Sequence, residues 1–171
     1  YKRQKKSAQK KLTVVPIHTR TNNNEANGAT VGSAEIVAKM TTFDAVYLDP
    51  PYNQRQYAAN YSPLNYIVRY DEHIILTGKT GLMKNYNKSG FCSKRKVKKS
   101  FEEIIENLNT RYIFLSYNNE GLLSKEELKT ILEKKGEVTL YQKKYPKFKA
   151  QSKVDGDTVT EYLWFVKVTK N

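Results

Sequence analysis

The chain has 171 residues, with 30 Lys and Arg against 17 Asp and Glu, so its formal net charge is +13. That is one strongly basic domain's worth of polypeptide, and 39% hydrophobic residues with 13 Tyr and 6 Phe supply a core despite a mean hydropathy of −0.72, which excludes a disordered chain. No apolar run approaches the roughly 18 residues of a membrane span, and the lone Cys92 excludes a disulfide scaffold.

The first eleven residues carry six cations and almost nothing apolar, and read as a solvated arm or a nucleic-acid backbone contact. Leu12 to Ile17 has the β-branched content of a short edge strand, and the polar stretch from Thr19 to Gly28 reads as a loop. A small helix is expected over Ser33 to Met40. Phe43 to Leu48 is a near-continuous apolar run, the pattern of a strand buried on both faces. It runs into Asp49-Pro50-Pro51-Tyr52, where two prolines end the strand. A loop rich in Tyr, Asn and Lys follows to about Lys99, with one or two helical turns expected over Pro63 to Tyr70, and a loop of that length usually carries function.

Ser100 and Glu103 are spaced as a capping box, and Phe101, Ile104, Ile105 and Leu108 share one helical face. Arg111 to Ser116 is a second buried strand, closed by a turn from Tyr117 to Gly121. Ser124 and Glu127 form another capping box ahead of Leu128, Ile131 and Leu132, with Gly136 as the helix stop. Glu137 to Tyr141 and Glu161 to Val168 read as two strands joined by a basic segment and an Asp155-Gly156 turn. This order predicts an α/β fold with a mostly parallel sheet finished by an antiparallel hairpin. Residues 1–42 form a basic arm and edge elements, and residues 43–171 the part that carries the motif. Ligands of such sheets lie beyond the carboxyl ends of the strands, where Asp49 to Tyr52 and Tyr117 to Gly121 both fall.

Asp49-Pro50-Pro51-Tyr52 is the sharpest chemical signal in the chain. Its prolines fix two φ angles and remove two N–H donors, leaving acceptors only: the Asp49 carboxylate and the Pro50 carbonyl. That pair is matched to an amino group with two hydrogens, and Tyr52 offers a flat face for a heteroaromatic ring. An amide or an exocyclic base amine suits this cradle, and the basic charge favours the base.

The run Val46-Tyr47-Leu48-Asp49-Pro50-Pro51-Tyr52-Asn53 resembles the catalytic motif of the Dam-like, alpha-group N6-adenine DNA methyltransferases. The resemblance extends through Gln54-Arg55-Gln56-Tyr57, Asn60-Tyr61 and Leu64, then Gly78-Lys79-Thr80-Gly81, Phe91-Cys92, Leu115-Ser116-Tyr117-Asn118 with Gly121, and Thr160-Glu161-Tyr162-Leu163. It implies the Rossmann-like fold of S-adenosylmethionine-dependent enzymes, with Asp49, Pro50, Pro51 and Tyr52 as the catalytic set. Asp49 and the Pro50 carbonyl are implied to accept the N6 hydrogens and face the methyl donor, and Tyr52 to stack on an adenine flipped from the duplex. Direct transfer without a metal follows from the same likeness, in a cytoplasmic restriction-modification setting with a cognate endonuclease. The family's glycine-rich donor loop has no match here, because Gly28 and Gly32 follow polar residues rather than a strand. This chain therefore reads as a carboxyl-terminal portion, with the donor-binding half expected before Tyr1.

Double-stranded DNA is the expected partner, with no membrane. Asn53, Arg55, Tyr57, Asn60 and Tyr61 are candidates to read bases or line the pocket. Lys79 is a candidate phosphate contact on a glycine-hinged loop, but not a P-loop residue, since position 73 is His73. Lys94, Arg95 and Lys98 belong to a basic cluster placed where a helix dipole disfavours cations, and Lys149 to a second cluster with Lys143, Lys144 and Tyr145. Asp155-Gly156-Asp157 has the wrong spacing for calcium, and Cys92 reads as a small buried side chain. Two rival readings remain: an amine methyltransferase acting on cytosine N4 or RNA, and a basic DNA-binding remnant without catalysis.

Overall fold

The structure is a computed structural model that describes residues 32–69, 73–79, 81–146 and 158–169. All lie in the unit Gly32–Asn171, one of two into which the chain divides. The basic arm, the strand expected at Leu12 to Ile17, the Asp155-Gly156 turn and Lys149 lie outside the described residues.

Helix α1 (Ala34–Met40) leads into strand β1 (Thr42–Leu48), which delivers the chain to Asp49. The expected long loop contains short helices α2 (Tyr57–Asn60) and α3 (Ser62–Arg69), a small hairpin of β2 (Leu76–Thr77) and β3 (Leu82–Met83), and a 3-10 turn at Gly90–Cys92. Helix α4 (Val97–Asn107), strand β4 (Asn109–Asn118), helix α5 (Lys125–Glu133) and strands β5 (Gly136–Pro146) and β6 (Thr158–Val168) complete the order.

The four-stranded sheet runs β1-β4-β6-β5. β1 and β4 are parallel, whereas β6 is antiparallel to both β4 and β5. The α/β architecture with a closing antiparallel hairpin is as the element order predicts. The hairpin's second strand, not its first, adjoins β4: α5 carries the chain one strand width past β4, and β6 returns into the gap. On one face of this sheet α1, α4 and α5 enclose a single core around Phe101, Ile105, Ile113, Leu115, Leu128, Ile131 and Trp164. Lys39 to Glu103 at 2.7 Å and Lys134 to Glu102 at 3.1 Å clip α1 and the end of α5 to α4, as exposed pairs that contribute little each.

Three local expectations are corrected. β1 is not buried on both faces: Phe43, Val46 and Leu48 are half-buried while Asp44, Ala45 and Tyr47 are exposed, because among the described residues only β4 flanks it. Ser100 is not an N-cap, since α4 begins a turn earlier at Val97. Val97 is buried, and with Phe101, Ile104, Ile105 and Leu108 it starts the apolar stripe, so burial continues the helix through the serine. Gly136 does not stop α5, which ends at Glu133; it opens β5, where a β-carbon would overlap the Lys167 carbonyl of β6. The Ser124 box is formed as expected, with Glu127 N–H donating to Ser124 Oγ at 3.1 Å and Ser124 N–H donating to Glu127 Oε2 at 3.0 Å.

Candidate active site

The parallel register pairs Leu48 with Leu115, so Asp49 and Ser116 emerge side by side where β1 and β4 reach their carboxyl ends. Tyr52 closes over this junction. Its Oη lies 2.9 Å from Asp49 Oδ1 and 3.1 Å from Ser116 Oγ. A phenol has one hydrogen and a carboxylate can only accept, so Tyr52 donates to Asp49 and the Ser116 hydroxyl donates to Tyr52. Among the described residues Asp49 Oδ2 has no hydrogen-bond partner, and the side chain is exposed.

Burial raises the Tyr52 pKa well above the ordinary tyrosine range; the Ser116 hydrogen bond opposes that rise, and the Asp49 carboxylate reinforces it. The phenol therefore stays protonated and keeps its donor role at neutral pH. The Tyr52 ring packs edge-on to Tyr117 at 5.0 Å, and Leu122 N–H donates to the Tyr52 carbonyl at 2.9 Å. Tyr117 is fully buried, and its Oη accepts from Leu123 N–H at 3.2 Å. Gly121 lies so close to the Tyr117 ring that a β-carbon would overlap it, which accounts for glycine in this turn.

The segment after the motif is fastened by a second set of contacts. The Gln56 side-chain amide acts as a strand-like partner to Ser89, accepting from its N–H at 2.8 Å and donating to its carbonyl at 3.2 Å. Cys92 is buried as expected, its thiol pKa raised by desolvation, and Sγ donates to the Arg55 carbonyl at 3.3 Å. Arg55 N–H donates to Asn53 Oδ1 at 2.9 Å, turning the chain directly after Tyr52.

Asp49, Pro50, Pro51 and Tyr52 thus form one cluster, and Asn53, Arg55, Tyr57, Asn60 and Tyr61 follow it as exposed residues. The Tyr57 and Tyr61 rings meet edge-on at 6.1 Å, each more than half exposed. Lys94 and Arg95 follow the Gly90–Cys92 turn that Gln56 and Cys92 hold against this segment, and both are exposed. Lys98 lies in the first turn of α4, 3.9 Å from the Glu127 carboxylate. Lys79 stands at the tip of the β2–β3 hairpin between Gly78 at φ 68° and Gly81 at φ 65°. That hairpin is tied to α3: buried Ser62 Oγ donates to the Gly81 carbonyl at 2.9 Å and accepts from Met83 N–H at 2.7 Å.

Ser116, Tyr117 and Gln56 were not singled out as site residues by sequence reasoning. Ser116 was accessible in principle, as the last residue of the second strand's apolar run. Gln56 lies within the family-like run after the motif, but its role was not legible there, because its partner Ser89 is 33 positions away. Among the described residues no group of three or more His, Cys, Asp or Glu could hold a metal ion, and no helix is long and apolar enough to cross a membrane.

Residues 1–131 match the family model described as D12 class N6 adenine-specific DNA methyltransferase. The chain is 39% identical over 165 residues to the type II methyltransferase M.CviAII of Paramecium bursaria Chlorella virus 1, covering 96% of this chain and 49% of that protein. It is 40% identical over 169 residues to M.NlaIII of Neisseria lactamica, covering 96% and 50%, and 38% identical over 149 residues to M.FokI of Planomicrobium okeanokoites, covering 85% and 23%. The chain spans about half the length of the first two relatives. No solved structure matches it. A cradle of acceptors at two strand ends, closed by a tyrosine, accords with these matches: the chain belongs to the D12 class of N6 adenine-specific DNA methyltransferases.

Proposed function

We propose that this chain carries the catalytic motif of a cytoplasmic, S-adenosylmethionine-dependent DNA methyltransferase that modifies the N6 amino group of adenine within a restriction-modification system. The observation that carries this reading is the Asp49–Tyr52–Ser116 hydrogen-bonded cluster at the ends of adjacent parallel strands. Its partners are duplex DNA, a donor-binding portion bearing the glycine-rich loop, and a cognate endonuclease. The acceptors present fit the transfer end of a sulfonium, since a carboxylate and a carbonyl bring no cation of their own.

When bound, S-adenosylmethionine supplies a methyl group on a cationic sulfur, open to direct attack by nitrogen. The residues of this chain prepare the nitrogen. Asp49, fixed through Oδ1 by Tyr52, accepts one N6 hydrogen at Oδ2, and the Pro50 carbonyl accepts the other. Together they hold the amine's lone pair out of ring conjugation and toward the methyl group. The Tyr52 ring stacks on the flipped base, a contact worth roughly 1–3 kcal/mol. Ser116 holds that ring through its hydroxyl, so stacking and carboxylate orientation are set by one relay.

The test expresses the longest open reading frame containing this chain, supplies S-adenosylmethionine and duplex DNA, and quantifies N6-methyladenine in the digest. Asp49→Ala is expected to lower its yield by about 10²–10³-fold, the usual effect of removing a polar group that stabilises developing charge. Methylated cytosine or RNA in place of N6-methyladenine overturns the substrate; DNA binding with no methylated base of any kind overturns catalysis.

A further inference from the structure

We infer that the β5–β6 hairpin is a duplex-DNA arm, whose Lys143 and Lys144 contact phosphates of two facing backbones beside the Asp49–Tyr52–Ser116 cluster. This inference rests on the DNA substrate proposed above and adds a contact surface outside the motif.

Register places the arm. The last β4–β6 pair is Asn118 with Glu161, but β5 and β6 continue for three further pairs: Lys144 with Thr160, Tyr145 with Val159, and Pro146 with Thr158. At about 3.4 Å per residue the ribbon extends roughly 10 Å beyond that pair. It extends past the carboxyl end of β4, the end at which Ser116 meets Tyr52. Ser116 is level with Leu163 and Tyr141, so Lys143 lies two residues further along and two strands across. With strands about 4.8 Å apart, that is roughly 12 Å from the site, within the footprint of a duplex whose base has been extruded.

Chemistry then selects the partner. Burial along β5 alternates from Gly136 to Leu140 and then ceases: Tyr141 to Pro146 are all exposed, so no core contact accounts for the residues chosen there. Lys143, on the last rung shared with β4, and Lys144, on the first rung beyond it, are adjacent on β5 and therefore project to opposite faces. The β6 residues opposite the outer rungs, Thr158, Val159 and Thr160, are uncharged. Glu161 stands across from Lys143, yet among the described residues neither lysine is in an ion pair. Lys143 Nζ lies 5.1 Å from the Tyr145 ring centroid, which steadies it without neutralising it. The ribbon's base is also held: Asn119 N–H donates to the Thr160 carbonyl at 3.0 Å, and Asn119 Oδ1 accepts from Thr160 N–H at 2.7 Å. A two-stranded ribbon fits the major groove, whose two walls are both phosphate backbones, and cations on its two faces match those walls.

The test reads the salt dependence of binding, which is independent of methyl transfer. The full protein, wild type and with Lys143→Gln, Lys144→Gln or both, is titrated onto a fixed duplex from 50 to 200 mM salt. Each lost phosphate contact flattens log affinity against log salt by about 0.9, so the double variant is expected to be shallower by about 1.8. Over that fourfold salt range its loss of affinity is then about twelvefold smaller than wild type. Both substitutions lie on exposed rungs, so thermal melting is expected to be unchanged; should the double variant melt early, the slopes are read from the single variants. A slope equal to wild type overturns the arm, even where N6-methyladenine forms normally. A reduced slope on duplex DNA with no methylation sustains the arm while the catalytic reading falls. A reduced slope on RNA alone overturns the duplex assignment.

Discussion

The two faces of the sheet are made by the same strands and differ in what touches them. Toward α4 and α5, Ile113, Leu115, Tyr117, Trp164 and Val166 are at most 1% exposed. On the alternate residues, Tyr112, Phe114 and Phe165 shield one another as a ladder with ring centroids 6.0 and 5.2 Å apart. Around that ladder Tyr47 is 61%, Tyr141 58% and Leu163 39% exposed. Both faces are apolar in composition, so apolar content alone does not say which face bears the core. Helices packed on one face make that distinction, and the Asp49–Tyr52–Ser116 cluster sits where the covered face ends, with Tyr52 against Tyr117.

Several substitutions would break or sharpen this contrast. Leu128→Ala empties a fully buried position of the covered face, and chemical denaturation is expected to show a loss of about 2–5 kcal/mol. Gly121→Ala forces a methyl group into the Tyr117 ring, with an expected loss of about 1–3 kcal/mol and displacement of Tyr52, read as a fall in methyl transfer larger than the fall in DNA affinity. Tyr52→Phe removes a hydrogen bond to a carboxylate at the rim of that face, for about 1–2 kcal/mol.

The same phenol predicts a pH dependence. Its folded pKa is raised above the ordinary value of 10.0, so the unfolded chain loses this proton first. The stabilisation is complete below pH 10.0 and is lost as pH rises through the folded value. Denaturation of wild type and Tyr52→Phe across that alkaline range should converge; parallel curves would reject the assignment. Smallest of all, Tyr141→Ala on the open face should cost under about 1 kcal/mol, the range of a cross-strand pair. A loss as large as that of Leu128→Ala would show that the open face is as buried as the covered one.

Legibility followed the range of the interaction. Asp49-Pro50-Pro51-Tyr52 was readable because two prolines impose their geometry locally, and Ser124 with Glu127 because a capping box closes within four residues. Ser100 and Glu103 have identical spacing and form no cap. The difference is Val97, whose burial one turn upstream outweighs the local bond that Ser100 offers. β1 was misread because Phe43 to Leu48 is apolar on both faces, and periodicity cannot tell an apolar residue that is covered from one that is not.

By itself the sequence determined the order of the four sheet strands and of the helices between them, though not α2 or the β2–β3 hairpin, together with the acceptor pair at Asp49 and Pro50 and the basic character of the chain, all of which follow from local steric limits and composition. Tertiary structure alone decided that β6 inserts between β4 and β5, that Ser116 reaches Tyr52 across 64 positions, and that Gln56 fastens to Ser89. Those contacts join residues far apart in the chain. Their partners are chosen by strand register and by which face the helices cover, and neither is written in any short stretch of residues.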